Sequence, residues 1–90
     1  MKKVVVTVIG ADQVGIVAGV SAELAKYNVN ILDISQTILD GIFNMTLICD
    51  MENAKAPLQE MQDAFEKLGE KLGVEVRAQL ADIFYAMHRI

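Results

Sequence analysis

One cysteine, one proline and two arginines are all that these 90 residues contain of each type, and two of the scarcities close off classes of protein. A lone Cys49 cannot form an internal disulfide, and its presence suits a reducing compartment. Lying inside the apolar run MTLICDM, it reads as a buried thiol. The two arginines, Arg77 and Arg89, fall late in the chain, so no guanidinium stands near the first loop to grip a phosphate in bidentate fashion. Basic residues are also sparse: net charge is −4, with no cluster beyond Lys2–Lys3. Nucleic acid and anionic membrane are therefore poor partners. No run of about 18 apolar residues exists to span a bilayer. The start, MKKVVVTVIGA, has the layout of a short secretory signal, but the same run makes a good first strand that cleavage would remove. We expect a cytoplasmic protein.

What the chain does contain is apolar residues, 53% of it against 22% charged. That fills the core of a single domain, residues 1–90, burying roughly 60% of the surface its unfolded form exposes. It also leaves apolar surface for self-association. KVVVTVI (3–9) is continuously apolar and β-branched, the pattern of a strand covered on its flanks. From Gly15 the period changes, with Ile16, Val20, Leu24 and Tyr27 on one helical face and Val17 beside them. Asn28 fits a left-handed cap. A second strand follows over 29–39, with Leu32, Ile34 and Ile38 on one side and Asp33, Ser35 and Thr37 on the other. Asp40-Gly41 signals a hairpin. The third strand, 42–51, sets Phe43, Met45, Leu47, Cys49 and Met51 against Asn44, Thr46 and Asp50.

Pro57 suits the first turn of a helix. Leu58, Met61, Phe65, Leu68 and Leu72 repeat at steps of three and four up to a Gly73 cap. Gly69, inside that helix, marks a place for another backbone to come close. VEVRAQL (74–80) turns Val74, Val76, Ala78 and Leu80 inward. The tail, 81–90, reads as a short helix with Ile83, Met87 and Ile90 on one stripe. The order β-α-β-β-α-β gives an α+β, ferredoxin-like sandwich: an antiparallel four-stranded sheet with two helices on one face, plus a short C-terminal helix.

This topology hosts several activities in its first loop or on its open face. GADQVG lacks the cysteine pair of a metal carrier, and His88 and Cys49 lie far apart, so we expect no metal site. An RNA-recognition sheet needs stacking aromatics on its central strands and a basic rim. The first strand has no aromatic and the third has only Phe43. Gly10-x-x-x-x-Gly15 has a phosphate-loop spacing, but Ile16-Val17 replaces the Lys-Ser/Thr that chemistry requires. Gly15-x-x-x-Gly19 lacks an apolar 20-mer around it and reads as close packing of the helix on the sheet. No nucleophile has an evident base, so neither catalysis nor a cofactor is expected.

The helix opening near Gln13–Gly15 leaves backbone N–H groups without internal partners, and with the helix dipole these attract an anion such as a carboxylate. Gly15 lets a ligand approach the backbone. An amino acid would suit the set: its carboxylate to the helix N–H groups and the Asn30 amide, its ammonium to Asp12. Each residue also has a purely structural reading. Asp12 is a natural N-cap worth about 1 kcal/mol; Gly15 serves a tight turn, and Asn30 a strand start.

The stretch VTVIGADQVGIVAGVSAELAKYNVNILDISQTIL resembles the first half of an ACT domain: a strand, then Asp-x-x-Gly-Ile-Val opening a helix, then Asn-Ile entering the second strand. The DG hairpin, the long third strand and VEVRAQ extend the likeness over nearly the whole chain. It is most similar to stand-alone, single-domain prokaryotic ACT proteins, then to the ACT modules of the glycine-cleavage repressor and formyltetrahydrofolate deformylase. The resemblance implies a regulatory module binding an amino acid at the first loop, where two domains meet. Asp12, Gly15 and Asn30 would contact the ligand, with Gln13, Val14, Ile16 and Val17 lining the pocket through their backbone. Val14 stands where many members have proline.

ACT-like pairing would join two sheets edge to edge through 29–39, with the first helices side by side. Independently, a second strand carrying Ile31, Ile34, Ile38 and Leu39 is a poorly protected edge, and a two-fold homodimer is the default assembly. The tail stripe, with Phe84 and Tyr85 beside it, needs a surface too, on its own domain or another. Two expectations stand: an amino-acid-sensing homodimer that signals to a partner protein, or a ligand-free dimerisation or docking protein.

Overall fold

A computed structural model describes residues 2–82 of the chain. Its elements are β1 (Lys3–Ala11), α1 (Ile16–Lys26), β2 (Asn30–Leu39), β3 (Ile42–Asp50), α2 (Leu58–Leu72) and β4 (Val74–Leu80). The sheet order is β2-β3-β1-β4, and every neighbouring pair is antiparallel. The expected ferredoxin-like α+β sandwich is present. The tail stripe Ile83, Met87 and Ile90, with His88 and Arg89, lies outside the described residues, although Ala81 and Asp82 have helical backbone.

Alternation sorts the sheet into two faces. Val4, Val6 and Val8 of β1 and Phe43, Met45, Leu47 and Cys49 of β3 face the helices and are almost wholly buried. Val20 and Leu24 of α1 and Met61 and Phe65 of α2 close over them. The KVVVTVI run thus occupies a central strand, where Val5 is buried on the face away from the helices while Ile9 on that same face is exposed. Both helical caps expected from sequence are left-handed, Asn28 at φ 59° and Gly73 at φ 71°. So is the hairpin, with Asp40 at 52° and Gly41 at 78°, the twist a two-residue turn between right-twisted strands requires.

Four details differ from the sequence expectation. β1 runs two residues past Ile9, because Gly10 still pairs with Phe43 and Val74, and Ala11 with Ile42. A side chain at Gly10 would place its Cβ 2.5 Å from Val74 Cγ1, so this glycine belongs to the strand. Gly19 packs against Leu72 and Leu68 of α2 instead of the sheet. In β2 the register steps from Ile31 opposite Cys49 to Asp33 opposite Ile48, which makes Leu32 the extra residue of a bulge. Asp12, finally, does not cap α1: Gly15 holds that position, with no side-chain hydrogen bond. Gly69 is as expected; a Cβ there would lie 2.5 Å from the Val74 carbonyl oxygen.

Candidate functional site

Gly15 sits at φ 99° and ψ −7°, a conformation in which a Cβ is strained. Space is not the reason for glycine, since a Cβ there would meet nothing within 4 Å. The turn launches α1, with the Gly19 N–H donating to the Gly15 carbonyl at 2.9 Å. Ile16 drops into the core at 1% exposure and fixes the helix start. The N–H groups of the first turn point out along the axis without internal partners. That turn carries no acidic residue and no side-chain cap, so its positive end is not neutralised locally. Val14 is fully exposed and Val17 is 37% exposed, giving the opening an apolar lip. Asp12 and Gln13 are exposed beside it.

The loop is held from the other side by the hairpin. The Asp12 N–H donates to the Gly41 carbonyl at 2.9 Å, a tie no local pattern announced. It ties the Asp12–Gly15 turn to the β2–β3 hairpin, at the same end of the sheet as Leu39.

Asn30 is elsewhere. It pairs with Asp50, which in turn pairs with Lys3 at the opposite end of β1 from Ala11. Eight strand steps separate the two ends, about 27 Å at 3.4 Å per residue. Asn30 therefore does not run near the turn of its own chain, because α1 carries the chain back along the length of the sheet before β2 begins. There Asn30 lines a shallow cleft with Asn28, Asp50 and Asn53. Asn28 Nδ2 donates to the Asn53 carbonyl at 3.0 Å, and Asp50 Oδ1 accepts the Glu52 N–H at 2.9 Å. Sequence reasoning did not pick out this polar group, since only cross-strand register assembles it.

Of the remaining chemistry, Cys49 is fully buried, and burial pushes its pKa from an ordinary 9.0 up to about 11. Among the described residues, no group of three or more His, Cys, Asp or Glu is placed to hold a metal ion. No helix among them is long and apolar enough to cross a membrane.

A four-stranded antiparallel sheet with both helices on one face, and a glycine turn without a side-chain cap after its first strand, defines a ferredoxin-like module. The chain belongs to the ACT domain family, whose model matches residues 2–79. Over all 90 residues, and the full length of both chains, it is 54% identical to a UPF0237 protein of Methanocaldococcus jannaschii. It is similar in structure to an ACT domain protein from Streptococcus pneumoniae, with a TM-score of 0.81 and 41% identity, covering 92% of this chain and 93% of that one. A formyltetrahydrofolate deformylase from Pseudomonas syringae gives a TM-score of 0.80 at 27% identity, over 88% of this chain and 27% of that one. The fold alone recurs in a candidate glycine cleavage system transcriptional repressor. ACT domains are regulatory small-molecule-binding modules and often dimerise.

Proposed function

We propose that this protein is a homodimeric, non-catalytic sensor of an amino acid that regulates a partner protein in the cytoplasm. The observation carrying this reading is the separation of Asn30 from the glycine turn. One chain presents a carboxylate receptor at Gly15–Val17 with Asp12 beside it, and a carboxamide at Asn30, at opposite ends of β2. Antiparallel pairing of β2 with its copy, about a two-fold axis at mid-strand, brings Asn30 of one copy to the Leu39 end of the other. That end adjoins the Asp12–Gly15 turn, so each of two equivalent sites takes its loop from one chain and its amide from the other.

The two sheet edges support β2 as the pairing edge. β4 carries the charged pair Glu75–Arg77, a common protection against edge pairing. Along β2, Asp33 is the one charged residue, while Leu32 (41%), Ile34 (46%), Ile38 (54%) and Leu39 (78%) are exposed. In such a site the ligand carboxylate accepts from the first-turn N–H groups of α1, and its ammonium meets Asp12. Gln13, Val14, Ile16 and Val17 line it through their backbone.

The test is thermal unfolding against the twenty amino acids. A ligand at 100 times its Kd raises stability by about 2.7 kcal/mol, several degrees for a chain of this size. Asp12→Ala and Asn30→Ala should each abolish the shift, whereas a mixed dimer of the two variants regains one intact site and about half the bound ligand. Failure of the mixed dimer to bind would sink the shared-site geometry. A flat panel would favour the second reading, a docking protein without ligand, for which the exposed apolar edge of β2 speaks independently.

A further inference from the structure

β4 is an edge of the sheet, yet its outward backbone is not open. In an antiparallel pair, alternate residues exchange hydrogen bonds with the neighbouring strand, and those between them turn N–H and C=O the other way. The Met51 N–H donates to the Lys2 carbonyl and the Asp12 N–H to the Gly41 carbonyl, so the even-numbered residues of β1 face β3. Val5, Thr7 and Ile9 are left for β4, opposite Gln79, Arg77 and Glu75. The backbone groups of Val74, Val76 and Ala78 therefore point away from the sheet. α2 already meets two of their carbonyls. Gln62 Nε2 donates to the Ala78 carbonyl at 2.8 Å. The Val74 carbonyl oxygen lies so close to Gly69 that a Cβ there would approach it to 2.5 Å. β2 has no such guard. Among the described residues, no side chain of α1 or α2 bonds to its backbone, and the Ile34 N–H donates to Asp33 Oδ1 of its own strand at 2.9 Å.

Charge deters an unrelated strand from β4 but does not close it to a second copy. Set antiparallel to itself about Val76, β4 brings Glu75 opposite Arg77 of the copy and Arg77 opposite its Glu75, two pairs of opposite sign. The same alignment sets Val74 opposite Ala78. The copy's Val74 N–H then needs the Ala78 carbonyl, and its Ala78 N–H needs the Val74 carbonyl. Those are the two acceptors that α2 covers. We infer that Gln62 is a latch: by holding the Ala78 carbonyl, it keeps β4 from pairing with β4 of a second copy, the partner its charges otherwise favour. The Gly69–Val74 contact is made by backbone, so Gln62 is the part of the closure that one side chain controls. With this edge latched, strand pairing is confined to β2. The latch does not depend on ligand binding at the first loop.

Sedimentation of the full chain tests this. Gln62→Leu keeps most of the side-chain bulk and removes the donor. At high protein concentration it should roughly double the mass of the native species, as two-fold pairing through a new edge requires. Adding Arg77→Glu sets like charges opposite each other and should abolish the extra assembly. Adding Glu75→Arg as well restores opposite pairs and should bring it back. Native Cys49 is buried, so its resistance to alkylation shows that each variant is folded. If Gln62→Leu fails that check, Gln62→Ala removes the same donor and is read in the same way. A folded variant lacking the donor that sediments like the native chain would overturn the inference. So would extra assembly indifferent to the charges at 75 and 77. Every comparison is with the native chain in its own state of assembly, so failure of the β2 dimer shifts the baseline and leaves this outcome readable.

Discussion

At the scale of the residue, Cys49 is the clearest case of burial setting chemistry. Its thiol keeps its proton up to about pH 11 in the folded chain, against 9.0 when unfolded. The folded state therefore binds the proton more tightly, and its advantage is fully present below pH 9 and is lost as pH rises through 11. Denaturant titrations should show this contribution, up to about 3 kcal/mol, disappearing between pH 9 and 11, a decline that Cys49→Ala removes. A midpoint flat across that window in the native chain would contradict the assignment. Gly15 differs in kind. Its left-handed backbone, with open space around it, means that alanine there strains the turn without filling a pocket.

Among the elements, α2 and β4 approach backbone to backbone where Gly69 meets the Val74 carbonyl. Gly69→Ala should cost several kcal/mol despite alanine's better helix propensity, because the clash is with backbone that cannot rotate away; chemical denaturation against Gly19→Ala, which meets only a flexible leucine tip, measures the contrast. These elements were legible in the sequence because each has one dominant period and a chemically distinct stop: Asn28, Asp40-Gly41, Gly73. The errors fell where local pattern and spatial pairing part. Leu32 keeps the even-numbered alternation of Ile34 and Ile38, so nothing local marks it as a bulge; only the register against β3 does. Asp12 has the chemistry of a cap, but the helix opens three residues later, at Gly15, beyond its local reach. Asn30 follows the first helix closely in sequence, yet α1 carries the chain back along the sheet, so it lies at the far end from the loop.

For the whole molecule, the proposed assembly through β2 would make stability depend on concentration. The unfolding temperature of the native chain should rise with protein concentration. Ile38→Lys, at the exposed edge, should give a monomer in sedimentation whose unfolding temperature no longer responds. A dimer that survived Ile38→Lys together with Ile34→Lys would place the interface elsewhere. The candidate site was legible as a loop but not as a geometry, since its two halves lie at opposite ends of one strand. The difference between the two edges reaches further still. A contact that uses the same strand from both copies consumes the apolar edge on each side and leaves only the charged β4 edges facing outward. In the proposed dimer such growth would end at two subunits, and a chain with an open, isoleucine-rich border would thereby avoid becoming the seed of a fibre.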